Sequence, residues 1–235
     1  MGNFSRRVSV SLERLDVSRL TLSNFKESFS VISLRIPTQS EREETLMTNF
    51  ELKREADQLI EDACLPELLA AYEQWFIGGS YSYDLMCWRD LDIYVLDRTH
   101  DLKSCFAVGC EVTQRLAARK SRFTNNVGQF EAGPDGLYWG IKLGDSRHGE
   151  WKLDIWFLDE AGYKEHARYS ASMREQLSSE TRSAILTIKE SYWRRSEYRN
   201  TITSHRIYRA VFDGGVRTVA DFERFISMGS PNAEL

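Results

Sequence analysis

Apolar and polar positions alternate most cleanly at 90–96 and 151–158. In the first run Leu91, Ile93 and Val95 fall on one face of a strand, while Asp90 and Asp92 fall on the other. In the second, Trp151, Leu153, Ile155 and Phe157 form the apolar face, opposite Lys152, Asp154, Trp156 and Leu158. Residues 137–143 alternate in the same way, with Leu137, Trp139, Ile141 and Leu143 against Tyr138, Gly140 and Lys142. The polar, glycine-bounded turn at 144–149 then predicts an antiparallel hairpin between 137–143 and 151–158. Residues 122–130 are a weaker strand candidate, and 75–77 read as a short apolar strand end.

Helical spacing fills the rest. Leu52, Ala56, Leu59 and Ile60 share a face of a helix over 50–63, which Thr48 or Asn49 is placed to cap. Pro66 restarts the chain in a second short helix with Leu68, Leu69 and Tyr72. A helix over 102–118 follows, with Thr99 or Asp101 as its cap. After Asp159, itself better placed as a cap than as a ligand, the pattern stays helical. The predicted segments are 161–177, a helix from Ser178 or Ser179 to about 200, 204–212, and a last helix opened by Thr218 with Asp221. Residues 229–235 should fray. The first 46 residues hold no sustained period, and only 29–36 resembles a strand. They read as a poorly ordered extension, with Met47 the functional start, a core at 47–160 and a helical region at 161–228.

Composition narrows the class. With 235 residues, 42% hydrophobic and 28% charged, the chain can bury a substantial core and reads as a globular protein. A formal charge of −4 argues against a nucleic-acid binder held by bulk electrostatics. Cys64, Cys87, Cys105 and Cys110 show no metal-ligand spacing and are expected as free thiols of a cytoplasmic protein. No apolar run reaches membrane-spanning length, and the N-terminus lacks a signal-peptide core.

The chemistry concentrates at 76–96, FIGGSYSYDLMCWRDLDIYVL. Two carboxylates on one strand face repel each other unless a cation neutralises them, and hard oxygen donors at that spacing suit Mg²⁺. The upstream Gly-Gly-Ser turn offers backbone N–H groups and a hydroxyl to a polyphosphate. A neighbouring strand carrying Asp154 would bring a third carboxylate alongside.

Gly79-Ser80, a spacer at 81–89, Asp90-Leu91-Asp92-Ile93 and the later Asp154 together resemble the nucleotidyltransferase superfamily with the polymerase-β-like palm. The likeness spans roughly 65–159. It implies an α/β (α+β) nucleotidyltransferase fold, a mixed sheet flanked by helices with a C-terminal helical segment. It also implies an enzyme that moves an NMP from an NTP to an acceptor hydroxyl and releases pyrophosphate. Asp90, Asp92 and Asp154 would then hold two Mg²⁺ ions, with Asp154 drawing the acceptor's proton, and Gly79 and Ser80 would cradle the phosphates. Lys189, on a following helix, is the candidate cation for the triphosphate. The acceptor is a small molecule such as an antibiotic, or RNA, for which the Arg-rich stretch 182–209 with Tyr192, Trp193 and Tyr198 offers phosphate and stacking contacts. The rival is a catalytically silent module of the same fold, acting as an antitoxin-like or scaffold partner. Retention of all three carboxylates favours activity.

Overall fold

The computed structural model describes residues 39–129, 134–144 and 149–228, with side chains from residue 48 onward. All belong to one unit, Ile36–Leu235. The predicted strand at 29–36, most of the proposed extension at 1–46, the centre of the 144–149 turn and the 229–235 tail lie outside the described residues.

Helix α1 (Gln39–Asp62) is longer than its apolar spacing suggests. Thr48 and Asn49 therefore lie inside it and do not cap it. Asn49 instead accepts a hydrogen bond through Oδ1 from the Met86 amide, 2.8 Å away. After α2 (Leu65–Leu69) come β1 (Trp75–Ile77), the single turn α3 (Gly79–Ser82), β2 (Asp90–Leu96) and α4 (Leu102–Arg115). Strands β3 (Lys120–Asn125), β4 (Gly136–Lys142) and β5 (Lys152–Leu158) complete a five-stranded sheet of order β1-β2-β5-β4-β3. The β4–β5 hairpin is antiparallel as its alternation predicts, whereas β2 and β5 run parallel, so the sheet is mixed.

Register sorts the side chains into two faces. Leu91, Leu153 and Ile141 form one row, and Ile93, Ile155, Trp139 and Phe123 the next. This apolar face packs against α1, α2 and α4 in the first core. Gly109 of α4 lies flat on the Trp139 ring, where a Cβ would collide with the indole. Asp101 caps α4 by accepting from the Lys103 and Ser104 amides.

The second core is built from α5 (Glu160–Gln176), α6 (Ser179–Tyr192), α7 (Ser204–Phe212) and α8 (Val219–Ser227). Asp159 caps α5, and the Ser178 and Thr218 capping boxes open α6 and α8. Helix α6 stops at Tyr192, short of the expected 200. Hydrogen-bonded turns follow, with Arg199 in the left-handed region at φ 70°. The segment between α3 and β2 joins the cores. Tyr83, Leu85, Cys87 and Trp88 enter the helical core, while Met86 enters the sheet core.

Candidate active site

The polar face of the sheet carries the site. Across β2, β5, β4 and β3, one row reads Asp90, Lys152, Lys142, Lys120, and the next Asp92, Asp154, Gly140, Arg122. Asp92 and Asp154 are therefore direct neighbours on parallel strands, and Asp90 stands two residues along on the same face. Alternation brings the acids to this face, and the in-register parallel pairing brings the third acid to the first two.

Gly79 and Ser80 approach from the end of β1. The Gly78 amide donates to the Asp92 carbonyl at 2.8 Å, which ties the turn to β2. Gly79 sits at φ +58°, and a Cβ there would strike the Asp92 carboxylate. Both the backbone conformation and the close approach require glycine. Gly79, Ser80, Asp90 and Asp92 line a cleft of about 360 Å³, walled by Tyr83, Trp88, Tyr94, His166 and Tyr208. The His166 ring stacks on Tyr94 at 4.4 Å. Burial holds the His166 pKa below the ordinary histidine value, so it is neutral near neutral pH.

Ionisable groups gather on the polar sheet face around Asp90 and Asp92. Burial, then the charges of Asp90 and Asp154, push the Asp92 carboxyl up to about 8. Burial also raises the Asp90 pKa, against the pull of Lys152. The Lys152 ammonium bonds to Asp90 Oδ1 at 3.4 Å and to Asp154 Oδ2. Burial works against that ammonium, but Asp90 and Asp154 outweigh it and raise its pKa. The Tyr138 hydroxyl donates to the other Asp154 oxygen, Oδ1, at 2.6 Å. Burial and the Asp154 charge raise the pKa of that phenol, so it stays a donor.

The donor set is chemically right for a hard divalent cation, being all carboxylate oxygen. As the side chains stand, however, no three carboxylate, His or Cys groups among the described residues surround one point closely enough to hold a metal. The acids share one face of adjacent strands, but Lys152 lies between Asp90 and Asp154.

Lys189 does not line the cleft. It is completely buried, with Nζ donating to the Leu85 carbonyl at 2.5 Å and 3.4 Å from the Tyr208 hydroxyl. The apolar stripe of α6 that carries it faces the helical core, so its ammonium fastens the 83–88 segment from beneath. Arg182 supports the same segment through the Tyr83 and Asp84 carbonyls. Arg89, next to Asp90 in sequence, forms a two-pronged pair with Glu55 of α1.

Sequence reading named neither Lys152 nor Tyr138 as site residues. Alternation already placed Lys152 on the Asp154 face, and the Tyr138 position on β4 was equally visible. The parallel pairing of β5 with β2, which sets Lys152 opposite Asp90, has no such local signal. The aromatic wall drawn from α5 and α7 left no local signal.

No family model and no curated protein matches the chain. Among solved structures it is similar to a cytoplasmic RNA terminal U-transferase, at 18% identity and a TM-score of 0.41, over 74% of this chain and 46% of that one. It is similar to the Cid1 poly (U) polymerase with Mg and 3'-dATP bound, at 15% identity and a TM-score of 0.45, over 74% of this chain and 54% of that one. A third similar structure is terminal uridylyl transferase 4 from Trypanosoma brucei with bound UPU, at 16% identity and a TM-score of 0.46, over 75% of this chain and 58% of that one. The chain spans about half the length of these proteins. The architecture of this chain is a five-stranded mixed sheet flanked by helices.

Proposed function

We propose that the protein is a nucleotidyltransferase that moves an NMP from an NTP to an acceptor hydroxyl. The observation that carries this reading is the placing of the three acids on one face of the sheet beside the Gly79-Ser80 turn. Asp90 and Asp92 share a face of β2, Asp154 lies directly opposite Asp92 on β5, and the Gly79-Ser80 turn touches the Asp92 carboxylate.

Asp90, Asp92 and Asp154 are the residues that would hold Mg²⁺, which when bound supplies neutralisation of the triphosphate charge. The chain's own residues then position the reactants. Ser80 and the adjoining backbone bind the phosphates, and the aromatic wall gives the nucleoside a surface for stacking and excludes water. Tyr138 fixes the rotamer of Asp154, whose carboxylate is the candidate acceptor for the proton of the attacking hydroxyl. Positioning and charge stabilisation account for most of the rate in such a site.

A polyanionic acceptor such as RNA is favoured over a small molecule by the cations Lys142, Lys120 and Arg122. They continue the carboxylate rows across β4 and β3 on the same face. No helix among the described residues is long and apolar enough to cross a membrane.

The test is transfer of label from each α-labelled NTP, with Mg²⁺, to an RNA oligonucleotide and to a small-molecule extract. Asp92→Asn should lower transfer by about a thousandfold or more, because the size is kept and a ligand charge is lost. Glu67→Gln, on the exposed side of α2, should leave it unchanged. Full transfer by Asp92→Asn would remove the mechanism.

The silent-module reading is favoured by one observation, the Lys152 ammonium lying between Asp90 and Asp154. It predicts nucleotide binding without transfer from any NTP.

A further inference from the structure

Lys152 holds a place that a structural lysine would not need. It lies opposite Asp90 in the register and two residues before Asp154 on the same strand face. Its side chain is 16% exposed, and those of Asp90 and Asp154 are 14% and 12% exposed. Its ammonium hydrogen-bonds to these two carboxylates and to no other group among the described residues. One oxygen of Asp90 and one of Asp154 are committed to Lys152, and no set of three ligands is assembled among the described residues.

We propose that Lys152 is a tethered counter-ion that occupies the place of a divalent cation between Asp90 and Asp154. It must withdraw before those carboxylates can bind a metal, and it thereby sets the metal affinity of the site. The inference rests on reading the three acids as metal ligands. An ammonium on a four-carbon stem is a mobile point charge and can leave without moving the strand. Along its own row the next side chain is Lys142, another cation. An arriving phosphate would offer it a partner. Metal entry and binding of an anionic substrate are therefore coupled through this one side chain, and a metal should bind more tightly with a nucleotide present.

The probe is Mn²⁺, followed by electron paramagnetic resonance, with the wild type, Lys152→Met and Asp90→Asn. Deleting a positive charge a few ångströms from the cation should make Lys152→Met bind Mn²⁺ at least about tenfold more tightly than the wild type. The metal-free melting temperature of Lys152→Met should be lower, and Mn²⁺ should raise it by more. Equal or weaker Mn²⁺ binding by Lys152→Met, with Asp90→Asn impaired, would overturn the counter-ion role and leave the metal reading intact. Absence of Mn²⁺ binding in both the wild type and Lys152→Met would overturn the metal reading itself. A second measurement needs no variant. Acylation of the wild type, read residue by residue by mass spectrometry, should find Lys152 protected without metal and reactive with Mn²⁺ bound. Unchanged protection at saturating Mn²⁺ overturns the proposal even if Lys152→Met fails to fold.

Discussion

Burial and two acidic neighbours act together on Asp92. Its carboxyl moves from an ordinary 3.8 to about 8, through burial first and then its two acidic neighbours. The folded chain therefore keeps a proton that the unfolded chain releases. Because stability falls with pH wherever the native state binds more protons, this residue makes the metal-free protein less stable as pH rises from about 4 to about 8, with no further loss above. Thermal melts without divalent metal should show that slope in the wild type, and Asp92→Asn should flatten it. An equal slope in both proteins would show that Asp92 is ionised in the metal-free fold. Asp97, five residues on, is of a different kind. It is buried and accepts from the Thr99 and Asp101 amides, so it shapes the turn after β2 and is no neutral reference for the acids.

Helix α6 serves the site indirectly. Lys189 satisfies the Leu85 carbonyl inside the helical core, and Arg182 satisfies those of Tyr83 and Asp84. Through these bonds the helix fixes the segment that carries Trp88 to the cleft wall. Lys189→Met keeps the length and leaves a buried carbonyl unpaired, a loss of about 1–3 kcal/mol of stability. Chemical denaturation measures it. Nucleotide affinity of the variant, measured well below its melting temperature, should remain near the wild-type value. Full stability with weakened nucleotide binding would restore the triphosphate role first expected of this lysine.

At the scale of the molecule, the sheet core and the helical core share the 83–88 segment, with Leu85 buried in one and Met86 in the other. Unfolding of either side should pull on its partner. Leu85→Ala removes a fully buried side chain from the helical core and should cost about 2–5 kcal/mol. The near-ultraviolet signal of the tryptophans and the far-ultraviolet helical signal should still fall in one transition. Two separated transitions in the variant would show that the cores are independent.

The amino-acid pattern alone settled which residues alternate on which strand faces and where most helices begin. Those properties are local, since alternation, caps and turn residues act over a few positions. The expected carboxylate face, the Asp101 cap, the Ser178 and Thr218 boxes and the β4–β5 hairpin all follow from them. Whatever depended on partners distant in sequence was decided by tertiary structure. Thr48 and Asn49 have good capping chemistry, yet α1 begins at Gln39 and Asn49 serves Met86 instead. Lys189 has the charge for a phosphate but lies on the buried stripe of its helix, and Arg89 finds Glu55 before it finds the acids beside it. Lys152 and Asp154 occupy a face that sequence periodicity defines. Only the parallel register of β5 against β2, made by residues some sixty positions apart, sets that lysine between the two carboxylates. An ion pair of this kind has no sequence signature, because its energy depends on burial and approach distance, and chain connectivity specifies neither.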